Sequence, residues 1–134
     1  MKKLGFSMME LMIAIAIVAI LAAIAIPSYL SYIKSSRRTD AVQTLLSIQL
    51  QQEKYRLNNN TYGGLAEVWG GVSTASGGYY SLAISGTSAS AYTLTATATG
   101  SQVGDTADGV SCNSIVLTNN NGVVTKTPSA CWAQ

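Results

Sequence analysis

Few residues in this chain could carry chemistry, and the first of them sits in an awkward place. Glu10 is followed by 23 residues, Leu11 to Ile33, without a formal charge. A run of that length can reach across a hydrocarbon layer, which needs roughly 20 apolar helical residues. A carboxylate at the mouth of such a segment is costly, so it must find a cation, become neutral or snorkel back to the headgroups. Cys112 and Cys131 come next. In an exported chain an even pair reads as a disulfide, and otherwise as buried or reactive thiols. Closing a loop of about 20 residues would stabilise the fold by roughly 3 kcal/mol. Asp105 and Asp108, in Gly104-Asp105-Thr106-Ala107-Asp108-Gly109, could bind calcium weakly. Their spacing lacks the full EF-hand ligand set, and an acidic turn explains them better.

The remaining inventory excludes more than it offers. The chain has no histidine, which removes His-dependent triads, cysteine–histidine dyads and histidine metal sites. No Walker-type phosphate loop is present. No enzyme activity, cofactor or resident metal is expected. Lys34, Arg37 and Arg38 cluster where the apolar run ends. Anionic lipid headgroups are their simplest partner, with acidic groups of neighbouring copies as an alternative. Nucleic acid is a further option, but three charges beside a membrane support it poorly. Only 10% of the residues are charged, and without Lys2 and Lys3 the balance is six basic against six acidic side chains. Net charge therefore gives no case for a polyanionic partner.

The elements that hold these residues can be read from breakers and periodicity. Between Phe6 and Tyr62 there is no glycine, and Pro27 is the only proline. A helix from Phe6 to about Leu57 follows, about 80 Å long at 1.5 Å per residue. Its first half, residues 6–33, is apolar apart from Ser7, Glu10, Ser28 and Ser31. Its second half is amphipathic, with Ala41, Leu45, Ile48 and Gln52 in a stripe and Val42, Leu46 and Tyr55 beside it. Pro27 leaves the Ala23 carbonyl without its helical partner, which marks a kink or a point of local unwinding. Asn58-Asn59-Asn60 should end the helix. Asn59-Asn60-Thr61 is formally a glycosylation sequon, though a cap is the simpler role. Residues 58–78 read as a surface loop anchored by Leu65, Val68 and Trp69 and packed against a neighbouring copy. Four strands then occupy residues 79–127. Tyr80, Leu82 and Ile84 alternate with polar or small residues, and Tyr92, Leu94, Ala96 and Ala98 alternate with threonines. Ile115 and Leu117 mark the third strand, and Asn120-Asn121-Gly122 turns the chain into Val123–Thr127. The fold class is α+β, a long helix covered over its amphipathic half by a four-stranded antiparallel meander.

Lys3-Leu4-Gly5-Phe6-Ser7-Met8-Met9-Glu10-Leu11 resembles the class III signal peptide of type IV pilins, and Pro27 falls where that family carries its transmembrane proline. The whole order of elements looks like a type IVa pilin, and Tyr92-Thr93-Leu94-Thr95-Ala96 with Cys131-Trp132 is similar to PilE-type minor pilins. The resemblance implies a leader, residues 1–5, cut by a prepilin peptidase between Gly5 and Phe6, and methylation of the new amine of Phe6. It implies a membrane and filament-core segment at 6–33 and a periplasmic globular domain at 34–134. A disulfide between Cys112 and Cys131 would bound the variable region at 112–131. Glu10 would draw the Phe6 amine of a subunit already in the fibre. Implied partners are further copies, other pilins, the peptidase and the inner-membrane assembly platform. The precursor would lie in the inner membrane with its N-terminus cytoplasmic, and the product in a surface filament serving adhesion, twitching or DNA uptake. A secretion-system pseudopilin and a DNA-binding minor pilin are the alternatives. A conventional signal peptide cut after Ala23-Ile24-Ala25 is disfavoured, because Glu10 would hinder insertion.

Overall fold

The computed structural model describes residues 5–133 of the chain, in two units that divide between Ile33 and Lys34. Helix α1 runs Met8–Asn58 and contributes to both. It begins two residues later than the sequence predicts, because Ser7 caps it. The Ser7 Oγ accepts the Glu10 backbone N–H at 3.1 Å, and the Ser7 carbonyl accepts that of Leu11. This satisfies one of the orphan donors of a helix start. The helix continues through Pro27. One residue on, the Ser28 hydroxyl donates to the Ile24 carbonyl at 3.2 Å, a back-bond that slightly weakens a helix.

In the second unit, α1 lays Ala41, Val42, Leu45, Ile48 and Gln52 against a sheet, and all five are buried. Leu45 and Ile48 are fully enclosed, each stabilising the fold by about 2 kcal/mol. Leu46, expected beside this stripe, is instead 39% exposed. The sheet is the expected four-stranded antiparallel meander: β1 (Tyr80–Ser85), β2 (Ala91–Ala98), β5 (Ser114–Asn120) and β6 (Val123–Thr127), adjacent in that order. Between β2 and β5 a separate hairpin intervenes, β3 (Thr106–Ala107) and β4 (Val110–Ser111), which the sequence reading treats as a turn alone. Opposite Leu94 stand Ile84 on one side and Leu117 on the other, so one face of three strands is apolar in register. Tyr80, Leu82, Tyr92, Ala96 and Ile115 complete that buried face, while Thr93, Thr95 and Thr97 face away from it. Asn121 and Gly122 both have positive φ, 51° and 82°, as the hairpin into β6 requires.

The segment before the sheet is more ordered than expected. Leu65–Trp69 forms a short helix, α2, closed by Gly70 in the left-handed conformation. A loop carbonyl and amide, both of Gly63, are held by the buried Gln52 side chain at 2.6 and 2.9 Å. That pairing explains the polar end of the helix stripe. Cys112 and Cys131 are disulfide-bonded and fully buried. Asn59 donates its side-chain amide to the Tyr55 carbonyl at 2.8 Å, the helix-capping role rather than a free sequon.

Candidate functional site

Two groups of residues carry the chemistry, one in each unit. The first is the N-terminal stretch. Gly5 has open space around it, and Phe6 is 83% exposed just outside the helix. Glu10 is exposed in the first turn of α1, where the partial positive charge of the helix end favours a carboxylate. Ser7 and Glu10 stand in the spacing of a capping box, a signal in the sequence that pattern reading passed over. Residues 1–4, including Lys2 and Lys3 of the expected leader, lie outside the described residues. Beyond Glu10 the helix of this unit is long and apolar enough to cross a membrane, and none of its apolar window is buried.

The second group corrects the expectation for Arg38, which is withdrawn from the basic cluster, while Lys34 and Arg37 are half-buried and bond only neutral partners. Arg38 is buried, and its guanidinium donates to Asp105 Oδ2 at 2.7 Å. It also donates to the Ser35 hydroxyl at 3.2 Å. Arg37 stacks its guanidinium 3.6 Å over the Tyr79 ring and donates to the Ser101 hydroxyl. Lys34 donates to the Val103 carbonyl at 3.1 Å, while its own carbonyl accepts from Gln102 Nε2. One turn of α1 thus grips the loop from Ser101 to Asp105. For Arg38 the physical reason is burial: a cation placed on the apolar stripe must bring a partner with it.

Asp105 is therefore no metal ligand in waiting. Its carboxylate is committed to Arg38, and the Tyr80 hydroxyl lies 3.4 Å from the same oxygen. Asp108, by contrast, does sit in a turn. With Gly109 it makes the two-residue connection of the β3–β4 hairpin, both with positive φ. Among the described residues no group of three or more acidic, cysteine or histidine side chains could hold a metal ion. Burial raises the Tyr80 phenol above its ordinary value, against the opposing hydrogen bond from Gln102. Burial also pushes Tyr92 up to about 12, helped by the negative charge of Glu53. Tyr92 packs edge-on against Tyr62, with ring centroids 4.6 Å apart. An open groove of about 710 Å³ lies along α1, lined by Thr44, Gln51, Val68, Trp69, Val72 and Ser76 among others. No charged side chain lines it. It therefore offers a contact surface and no acid or base.

Both units of this structure contain stretches that known families match. Residues 27–116 match the family described as type IV minor pilin ComP, DNA uptake sequence receptor, and residues 1–26 match the prokaryotic N-terminal methylation motif. The chain is a type IV pilin. This pilin is 36% identical over 77 residues to prepilin peptidase-dependent protein D of Escherichia coli, covering 58% of this chain and 46% of that one. It is 40% identical over 68 residues to type IV major pilin protein PilE1 of Neisseria gonorrhoeae, covering 46% and 41%. It is 31% identical over 58 residues to type II secretion system core protein G of Pectobacterium carotovorum, covering 43% and 37%. The pilin spans less than half the length of these curated relatives. Type IV pilins are structural proteins.

Proposed function

We propose that this pilin is a structural subunit of a type IV pilus, held in the inner membrane as a precursor and then polymerised through its N-terminal helix. One observation carries the reading. Every large apolar side chain from Leu11 to Ile26 is between 53% and 69% exposed. Ten such side chains at about 2 kcal/mol each leave on the order of 20 kcal/mol unrealised in water. Lipid can supply that burial first and packed copies of the same helix second, since both surroundings are apolar. A subunit contact that does not close on itself then yields a filament.

On this reading a prepilin peptidase cuts between Gly5 and Phe6, where the chain is exposed and not yet helical. The Phe6 amine is methylated, and Glu10 pairs with the Phe6 amine of a neighbouring subunit. The N-terminus faces the cytoplasm and residues 34–134 the periplasm. Pro27 marks where the helix yields on leaving the bilayer. The uncharged groove beside Trp69 faces an adjacent subunit. Intact mass of subunits from sheared filaments should correspond to a chain beginning at Phe6 with one methyl group and an intact disulfide. Glu10→Gln should abolish filaments while leaving the precursor in the membrane. Normal filament yield from that variant would overturn the role given to Glu10.

A second reading has a specific basis, the description of the matched family as a DNA uptake sequence receptor. The charges of the globular unit argue against a broad electrostatic footprint, because residues 34–134 hold six basic against five acidic side chains and Arg38 is paired with Asp105. DNA retention by this pilin that falls steeply with salt, and falls further with Lys54→Ala or Lys126→Ala, would favour the receptor reading. The pseudopilin reading rests on the likeness to core protein G. Recovery of the chain only from the cell envelope, never from surface filaments, would favour it.

A further inference from the structure

A membrane helix is ordinarily fixed in depth by residues at its two interfaces, and here the obvious candidates are occupied. Lys34, Arg37 and Arg38 would suit an anionic lipid surface. Arg38 is withdrawn, 8% exposed and paired with Asp105, while Lys34 and Arg37 each turn one donor back to their own domain, at Val103 and Ser101. Upstream of them stand Tyr29 and Tyr32, 64% and 72% exposed. At a spacing of three they share one face of α1. Neither phenol has a hydrogen-bond partner among the described residues, so each offers an apolar ring with a free hydroxyl. That amphipathic form is what a membrane–water boundary selects. The distance fits too. Nineteen residues separate Tyr29 from Glu10, and 22 separate Tyr32 from it, which at 1.5 Å per residue gives about 28 and 33 Å. The hydrocarbon core is about 30 Å thick.

We propose that Tyr29 and Tyr32 form a two-residue aromatic belt that seats this helix at the headgroup boundary of a lipid bilayer. Arg38 of the basic cluster that follows is paired with Asp105 and plays no part in this seating. The inference rests on the membrane-precursor reading and adds the chemistry of the surface: a boundary recognised through ring and hydroxyl, indifferent to lipid charge.

The test uses the full chain with Ser31→Cys, labelled with a small environment-sensitive fluorophore and reconstituted into phosphatidylcholine vesicles. Depth is read as the ratio of quenching by nitroxides in the acyl chains to quenching by aqueous iodide. Replacing both tyrosines by alanine should change that ratio by about twofold or more, and replacing both by tryptophan should preserve it. Adding phosphatidylglycerol or raising the salt should leave it unchanged. An unchanged ratio in the alanine variant would overturn the belt, as would a ratio that follows phosphatidylglycerol content, which would return the task to the basic cluster. A ratio that follows protein dilution would overturn it in favour of contact between copies. Failure of the unsubstituted chain to float with vesicles would overturn the membrane reading and the belt together.

Discussion

Arg38→Met should destabilise the globular unit far more than the loss of a surface cation would. Arg38 and Asp105 are about nine-tenths buried or more at their side chains and meet at 2.7 Å. Removing the guanidinium leaves a buried carboxylate with one poor donor, the Tyr80 hydroxyl at 3.4 Å. Breaking a buried pair from one side costs about 3–5 kcal/mol. For a unit of roughly a hundred residues, each kcal/mol lowers Tm by about 4–8 °C, so the drop should exceed about 12 °C. Asp105→Asn should cost less, because an amide is cheaper to strand than a charge and Arg38 keeps Ser35 and the Thr106 carbonyl. The double variant Arg38→Met/Asp105→Asn should recover part of the loss, giving a coupling of about 1–3 kcal/mol. Thermal unfolding of the full chain in mild detergent, followed by near-ultraviolet circular dichroism of Trp69 and Trp132, provides the reading. Costs below about 1 kcal/mol that simply add would refute the reasoning, since that is the behaviour of an exposed ion pair.

Three further outcomes follow from the same geometry. Gly63→Ala should cost about 1–3 kcal/mol, because its Cβ would stand 2.9 Å from Val68 Cγ1; equilibrium denaturation that leaves the variant as stable as its parent would contradict the contact. Reducing the Cys112–Cys131 bond, whose ends are 19 residues apart, should cost about 3 kcal/mol, read as a lower denaturation midpoint in the presence of dithiothreitol. Tyr92, raised in the folded chain, contributes stability that is complete below the ordinary tyrosine value of 10.0 and is lost as pH rises toward about 12. Stability should therefore fall across that window, by up to about 1 kcal/mol per pH unit for this group, and more gently in Tyr92→Phe.

Much of the fold was legible because each element follows its own period. The alternation of Tyr92, Leu94, Ala96 and Ala98 with threonines defines β2, and Asn121-Gly122 defines the last hairpin. The stripe through Ala41, Leu45, Ile48 and Gln52 identifies the covered face of α1. The pairing of Arg38 with Asp105 was not legible, because its partners are 67 residues apart and no local pattern couples them. A signal existed all the same. Arg38 continues the stripe at helical spacing, three residues before Ala41 and seven before Leu45, so its side chain had to turn inward. Leu65, Val68 and Trp69 likewise carry the spacing of a helical turn inside a segment whose glycines suggested only loop. In both cases composition outweighed spacing, and the physics followed spacing.

The reassignment of the basic cluster changes what Glu10 is left to do. With Arg38 paired inside its own domain, the helix surface offered ahead of the basic cluster is apolar from Leu11 to Ile26 with one carboxylate before it. Apolar burial is strong but non-directional. Two such helices shifted by a turn lose little contact area, so area alone cannot choose between registers. A single charge can, because a carboxylate left without its cation in an apolar contact is penalised far more than a slipped methyl group. In the proposed filament, affinity therefore resides in the sixteen apolar residues and register in Glu10. The two should separate under mutation: Leu→Ala changes in the run would weaken filaments, whereas Glu10→Gln would leave the apolar contact available but its alignment unspecified, so that no filament forms.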